Sequence, residues 1–265
     1  MLKLGFIGGG NMGGAIMRGV SHNLKSPLHI FAFDKDSEKL SEIAKLGITT
    51  CKDEREIVQN CEFVLLAVKP QSLAEVLDTV ADLVTEKTVF ISICAGIPAE
   101  FIQAHTRPDA RVILVMPNTP MMLGLGASAI ARGEGISDSE FNFAKSVISS
   151  CGIVQEIPID KMKEIICINS SSPAFLYLFA KGFIDYAGDV GIDSDSAMKL
   201  FAQMLVGSAK MLTDSGMTVD ELIKQVSSPG GTTIAGLNEL YDGKLTEIVH
   251  KACEACTKRA YELAQ

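Results

Sequence analysis

Two stretches of this 265-residue chain hold residue types and spacings that could do chemistry. The first is Ser227-Ser228-Pro229-Gly230-Gly231-Thr232-Thr233, running on through Ile234-Ala235-Gly236-Leu237. It lies between a helical pattern over residues 219–226, which Pro229 is expected to end, and a second helix. Gly230 and Gly231 free the backbone for close approach to a ligand. Thr232 or Thr233 is placed to cap the second helix, whose unpaired N–H groups suit a small anion such as a carboxylate. A plain polar turn between helices is the alternative. Such a turn needs one glycine and one cap, whereas this one gathers paired glycines, serines and threonines, which favours a binding loop.

The second stretch is Gly8-Gly9-Gly10-Asn11-Met12-Gly13. Its GxGxxG follows a short apolar strand and opens a helix patterned by Ala15, Ile16, Met17 and Val20, the context that a dinucleotide-binding turn requires. Gly8 makes the tight turn, Gly10 lets a pyrophosphate approach, and Gly13 lets helix and strand pack closely. A second strand over residues 29–33 ends at Asp34, about where such folds hold an adenosine ribose.

These residues need a scaffold, and the remaining pattern supplies one. Helical and strand patterns alternate: helix 37–46, strand 48–51, helix 53–60, the apolar run 63–68, then a helix from Ser72. Strands are expected at 88–93 and 111–116, and strand 127–131, helix 137–149 and strand 153–157 finish the sheet. The run 63–68 is continuously apolar, as for a strand buried on both faces of a parallel sheet. This is an α/β chain with a doubly wound sheet, whose ligands sit beyond the carboxyl ends of the strands. The stretches after Ile7, Val68, Ile93 and Met116 should therefore converge on one crevice. They bring Asn11 and Met12, then Ala67, Val68, Lys69 and Pro70, then Cys94 and Ala95, then Asn118. Asn118 either offers its amide to a carboxamide or makes a local turn before Pro120. Lys69 either meets a phosphate or ribose or is a solvated loop lysine.

Beyond Pro158 no strand is expected. The division is a nucleotide-binding domain over 1–158 and an all-helical domain over 159–265. Ile165, Ile166, Phe175, Leu176, Leu178, Phe179, Phe183 and Ile184 make the start of the second too apolar for a monomer's surface, which points to a dimer.

Composition narrows the partners. Hydrophobic residues make up 47% and the mean hydropathy is +0.25, so real cores are affordable in length and content. No run approaches the roughly 20 apolar residues of a membrane span, and no basic-then-apolar leader opens the chain. With a net charge of −8 and no basic cluster, neither nucleic acid nor an anionic membrane is an expected partner. The seven cysteines are odd in number and mostly within apolar segments, which suits buried thiols in a reducing cytoplasm. Cys253 and Cys256 form a CxxC with His250 one turn earlier. It lacks a fourth zinc ligand and a thioredoxin-like context, so no metal is expected.

Four motifs carry a family resemblance along the whole chain. They are Gly5-Phe6-Ile7-Gly8-Gly9-Gly10-Asn11-Met12, Leu66-Ala67-Val68-Lys69-Pro70-Gln71, Val115-Met116-Pro117-Asn118-Thr119-Pro120, and the loop 227–237. The chain resembles Δ1-pyrroline-5-carboxylate reductases. The first three motifs are shared in spirit with other reductases, while the last is close to a signature. The resemblance implies an N-terminal Rossmann domain, then an all-α C-terminal dimerisation domain that interlocks with its copy, with dimers often gathered into decamers. It implies reduction of a cyclic imine to L-proline with NADPH or NADH. It assigns Thr233 to the substrate ring nitrogen, the backbone N–H groups of Gly231 and Thr232 to the carboxylate, and Ser228 to the lining of that site. Asp34, with Glu54 beyond it, disfavours a 2′-phosphate, while Lys35 and Lys39 work the other way. NADH is expected to be used at least as well as NADPH.

The chain departs from the family at Asn169-Ser170-Ser171-Ser172-Pro173-Ala174, where Ser170 and Ser172 replace two glycines. Leu114 stands where relatives often carry arginine. Two rival functions would suit the same scaffold. A β-hydroxyacid dehydrogenase would need a glycine-rich lead-in to a catalytic lysine, which Lys161 and Lys163 lack. A non-catalytic dinucleotide sensor would have no reason to keep the loop 227–237.

Overall fold

A computed structural model describes residues 2–24 and 28–263. Its first compact unit is built on an eight-stranded sheet of order β3-β2-β1-β4-β5-β6-β7-β8. The strands are β1 (Leu2–Ile7), β2 (Leu28–Phe33), β3 (Thr49–Thr50), β4 (Phe63–Leu66), β5 (Val89–Ser92), β6 (Arg111–Met116), β7 (Gly126–Arg132) and β8 (Gly152–Glu156). Pairing is parallel throughout except between β6 and β7. The strand order reverses between β1 and β4, which opens a crevice at their carboxyl ends.

Period-two alternation sends the side chains of each strand to two cores. Leu4, Phe6, Phe63, Leu65 and Ile91 face one layer with α1 (Asn11–Asn23), α2 (Ser37–Ala44) and α6 (Asp138–Ser149). Val64, Leu66, Phe90 and Val112 face the other with α3 (Glu54–Asn60), α4 (Pro70–Val80) and α5 (Ala99–Ala104). Phe6, Leu65, Leu66 and Phe90 are all 0% exposed, and each such side chain contributes about 1.5–3 kcal/mol of burial. All of β4 is buried, as its unbroken apolar run requires.

Some boundaries move from the expected ones. The helix after β4 begins at Pro70 rather than Ser72, because proline suits the first helical position, where no N–H partner is lost. Asp53 stands outside α3 as its cap, its carboxylate accepting the Glu56 N–H at 2.8 Å.

The larger shift concerns the domains. The compact units are Met1–Ser171 with Cys256–Gln265, and Ser172–Ala255. Pro158 marks where strands stop, but residues 159–171 still pack with the sheet. Met162 is part of its core, with Ile165 and Ile166 against it. The end of α11 (Leu245–Leu263) returns to the same unit, where the Tyr261 hydroxyl donates to Glu164 at 2.9 Å. A change of periodicity therefore locates the change of secondary structure, not of packing.

The second unit contains α7 (Ser172–Asp189), α8 (Ser194–Asp214), α9 (Val219–Gln225), α10 (Thr232–Asp242) and the start of α11. The segment before α7, Ile166–Ser171, is π-helical.

Candidate functional site

The glycine turn after β1 has the geometry its sequence demands. Gly8 has φ +105°, and a Cβ there would meet the Ala67 carbonyl oxygen at 2.5 Å, so no other residue fits without strain. Gly13 is buried, and its Cβ would lie 2.3 Å from the Gly8 oxygen. Gly10 differs. It is the N-cap of α1, no side chain caps the helix there, and a Cβ would meet nothing within 4 Å. Open space thus faces the N–H groups of Asn11, Met12 and Gly13, the dipole end of a thirteen-residue helix. A helix start of this kind suits an anion such as a phosphate.

At the end of β2, Asp34 is anchored twice. Its Oδ2 accepts the Gly9 N–H at 2.6 Å and its Oδ1 accepts the Asp36 N–H at 2.9 Å. The carboxylate is thereby fixed beside the glycine turn. Lys39 lies 3.9 Å from Asp34 and 3.4 Å from Asp36. Lys35 turns to Glu75 at 3.6 Å. Both lysines already face carboxylates.

The next strand ends are knitted to the glycine turn by main-chain bonds. Ala67 N–H donates to the Ile7 carbonyl at 2.9 Å, and Ile93 N–H to the Leu66 carbonyl at 3.1 Å. Ala67 and Val68 are half-buried, Lys69 is exposed at the N-cap of α4, and Pro70 opens that helix. Cys94 is buried, and its thiol donates to the Val68 carbonyl at 3.4 Å. Burial pushes that thiol up to about 11, which leaves it protonated and unsuited to nucleophilic work. Its neighbour Ala95 is exposed on the turn.

Asn118 does not make the local turn that was one of its two expected roles. It is buried, and its Oδ1 accepts the Ala127 N–H from β7 at 2.9 Å, so it closes the end of β6 rather than making a turn with Pro120. Beside it stands a residue that sequence reasoning placed only among departures from the family. Asn169 donates through Nδ2 to the Met116 carbonyl at 2.7 Å and to the Ala127 carbonyl at 3.0 Å. No local pattern pointed to this pairing.

The helical unit carries the loop 227–237. α9 ends at Gln225, ahead of Pro229, with Val226 as its cap residue. Ser228-Pro229-Gly230-Gly231 then form a tight turn. Gly230 has φ +71° and the Gly231 N–H donates to the Ser228 carbonyl at 3.0 Å, which with Pro229 at the second position is the type II pattern. The cap of α10 is Gly231, not a threonine, and no side chain caps it. The Gly231 N–H is thus taken within the turn. Those of Thr232 and Thr233 stand at the open start of an eleven-residue helix. Ser228, Thr232 and Thr233 are exposed on this unit.

No group of acidic, histidine and cysteine side chains able to hold a metal occurs among the described residues. His250 pairs with Glu254 at 3.5 Å, and Cys256 Sγ lies 3.2 Å from the Ser171 hydroxyl. No helix among the described residues is long and apolar enough to cross a membrane.

Comparison with known proteins agrees with this geometry. Residues 160–263 match the model for pyrroline-5-carboxylate reductase dimerisation. Residues 3–96 match the one for NADP oxidoreductase, coenzyme F420-dependent. Pyrroline-5-carboxylate reductase 3 of Xenopus laevis is 34% identical over 265 residues, covering 100% of this chain and 97% of that protein. A solved pyrroline-5-carboxylate reductase from Coxiella burnetii superposes with a TM-score of 0.92 at 30% identity, covering 99% of this chain and 98% of that one. The Plasmodium falciparum pyrroline carboxylate reductase with NADP bound gives 0.87 at 26%, covering 100% and 98%. With full-length identity at this level and the same architecture from end to end, the chain belongs to the pyrroline-5-carboxylate reductase family.

Proposed function

We propose that this chain reduces the imine of Δ1-pyrroline-5-carboxylate to L-proline, working in the cytoplasm as a homodimer whose dimers gather into a decamer. The observation that carries the reaction is the pairing, in one chain of this family, of an open dinucleotide cradle at Gly10 with the uncapped threonine start of α10. The bound nicotinamide supplies the hydride. Gly8, Gly10, Asn11, Met12 and Gly13 hold the pyrophosphate. Asp34 and Lys35 flank the adenosine ribose. Ala67, Val68, Lys69, Pro70, Cys94, Ala95 and Asn118 line the nicotinamide half. The N–H groups of Thr232 and Thr233 hold the substrate carboxylate, with Gly231 shaping the turn and Ser228 lining it. The Thr233 hydroxyl hydrogen-bonds the ring nitrogen. It is too weak an acid to act alone, so the nitrogen's proton comes from water or arrives with a protonated iminium. Holding the reactants in near-attack geometry supplies most of the rate, an effect worth up to about 7–11 kcal/mol.

NADH serves at least as well as NADPH in this reading. The doubly anchored Asp34 presents a fixed negative charge to a 2′-phosphate, and Lys35 and Lys39 already face acids. Such a repulsion costs about 1–3 kcal/mol in a partly solvated site. The test is imine-dependent oxidation of NADH and NADPH at physiological salt, with proline-dependent reduction of the oxidised cofactors at high pH as the reverse arm. No turnover in either direction sinks the reaction. A preference for NADPH above about tenfold, or 1.4 kcal/mol, sinks the cofactor reading.

A further inference from the structure

We infer that Asn169 is a positioning residue for the nicotinamide half of the site, acting through the main chain at the ends of β6 and β7. The register of this antiparallel pair is Met116↔Ala129, and two further steps along it place Asn118 opposite Ala127. The paired register ends at Met116, short of that pair. Two asparagine side chains take over. Asn118 Oδ1 accepts the Ala127 N–H, and Asn169 Nδ2 bridges the Met116 and Ala127 carbonyls at 2.7 and 3.0 Å. Between them both polar groups of the Ala127 peptide unit's residue are held by side chains.

The demand on position 169 is specific. Two carbonyls call for two donors, which an amide nitrogen has and a hydroxyl lacks. The other end of the same amide is left over: Asn169 Oδ1 is buried with no hydrogen-bond partner among the described residues. An orphaned buried acceptor is a cost that a residue chosen only for packing would not carry. The benefit lies in the turn that this bridge fixes, Pro117-Asn118-Thr119, at one of the strand ends that form the crevice.

The inference rests on the proposed nicotinamide-dependent reduction, and its test separates the two. Asn169→Ser keeps one donor, Asn169→Ala keeps none, and Asn169→Asp keeps the shape and loses both. The expected order of kcat is Asn, Ser, then Ala and Asp. The fall is about 3–10-fold for Ser and about 10–100-fold for Ala and Asp. The primary isotope effect with C4-deuterated NADH should rise in the same order, since a loosened donor makes hydride transfer more rate-limiting. Equal kcat per folded dimer and an unchanged isotope effect in the Ala and Ser variants, with only melting temperature altered, would overturn the proposal. Should the Asp variant not fold, the Ser and Ala pair decides alone. If the wild type fails to turn over the imine, the reaction assignment falls instead. NADH affinity, followed by nucleotide fluorescence without substrate, then decides on Asn169: weaker binding in the order Ser, Ala supports it and equal binding rejects it.

Discussion

The two compact units bury apolar surface to very different degrees. In the sheet unit, two cores on either side of the strands hold side chains such as Phe6, Leu65, Phe90 and Phe141 at no more than 1% exposed. In the unit Ser172–Ala255, Ala187 and Phe201 are the buried hydrophobic residues, while Phe175, Leu176, Leu178, Phe179 and Phe183 lie open. The open Phe179 and Phe183 pack edge-on with centroids 5.1 Å apart, and Phe183 rests on the buried Phe201 at 4.8 Å. The sheet unit is self-sufficient in burial. The helical unit is half of a core, in keeping with its match to a dimerisation family. The proposed binding residues divide along the same line, with the glycine turn on the first unit and the threonine turn on the second.

The largest expected effect comes from attacking the open face. Phe179→Asp places a charge in the ring cluster and should weaken association by about 2–4 kcal/mol, or about 30–1000-fold. Sedimentation should give monomers or aggregates with reduced activity. A fully active monomer would break the comparison outright.

Thr233→Ala should lower kcat by about 10–100-fold and leave cofactor affinity almost unchanged, because the cradle is on the other unit. Steady-state kinetics with each cofactor titrated decides it. Wild-type turnover would remove Thr233 from the chemistry.

Gly10→Val tests the cradle in reverse. A Cβ there meets nothing in the protomer, so folding should survive. The added side chain fills the space into which the pyrophosphate must come, and cofactor KM should rise about tenfold or more with melting temperature held. A KM equal to wild type would mean that the phosphates lie elsewhere.

The smallest effect is confined to the sheet unit. Ser137 and Glu140 make a reciprocal cap on α6, and Arg111 donates to Glu140 at 2.6 Å. Burial pushes the Glu140 carboxyl up, but the Ser137 bonds and Arg111 outweigh it and hold it below its usual range. A lowered folded value stabilises above the unfolded one, and that contribution is lost as pH falls through the folded value. Glu140→Gln should therefore cost about 1 kcal/mol near neutrality. The gap to wild type should close in acid below the ordinary carboxylate range. A gap that stayed constant with pH in denaturant titrations would show that the charge is irrelevant.

Much of this molecule could be read from neighbours in the chain. The parallel sheet followed from apolar runs such as 63–66, the tight strand-to-helix turn from Gly8 and Gly13, and the need for a partner from the apolar run around Phe175 and Phe179. Each is a local pattern, because burial on both faces, a positive φ or an apolar helix constrains residues a few positions apart. Helix edges were less legible: whether Gly231 or a threonine caps α10 depends on the turn that Pro229 and Gly230 impose, and the hydroxyls alone do not reveal it.

Only the tertiary structure decided what the polar side chains hold. Asp34 is aimed by a glycine N–H 25 residues away. Asn118 binds β7, and Asn169 reaches across 53 and 42 residues to two carbonyls. Residues 159–171 belong with the sheet, whatever their helical pattern suggests. The reason is common to the three side chains. A backbone group becomes an orphan only once strand register and strand ends are set. Until then nothing in the sequence says which side chain must satisfy it.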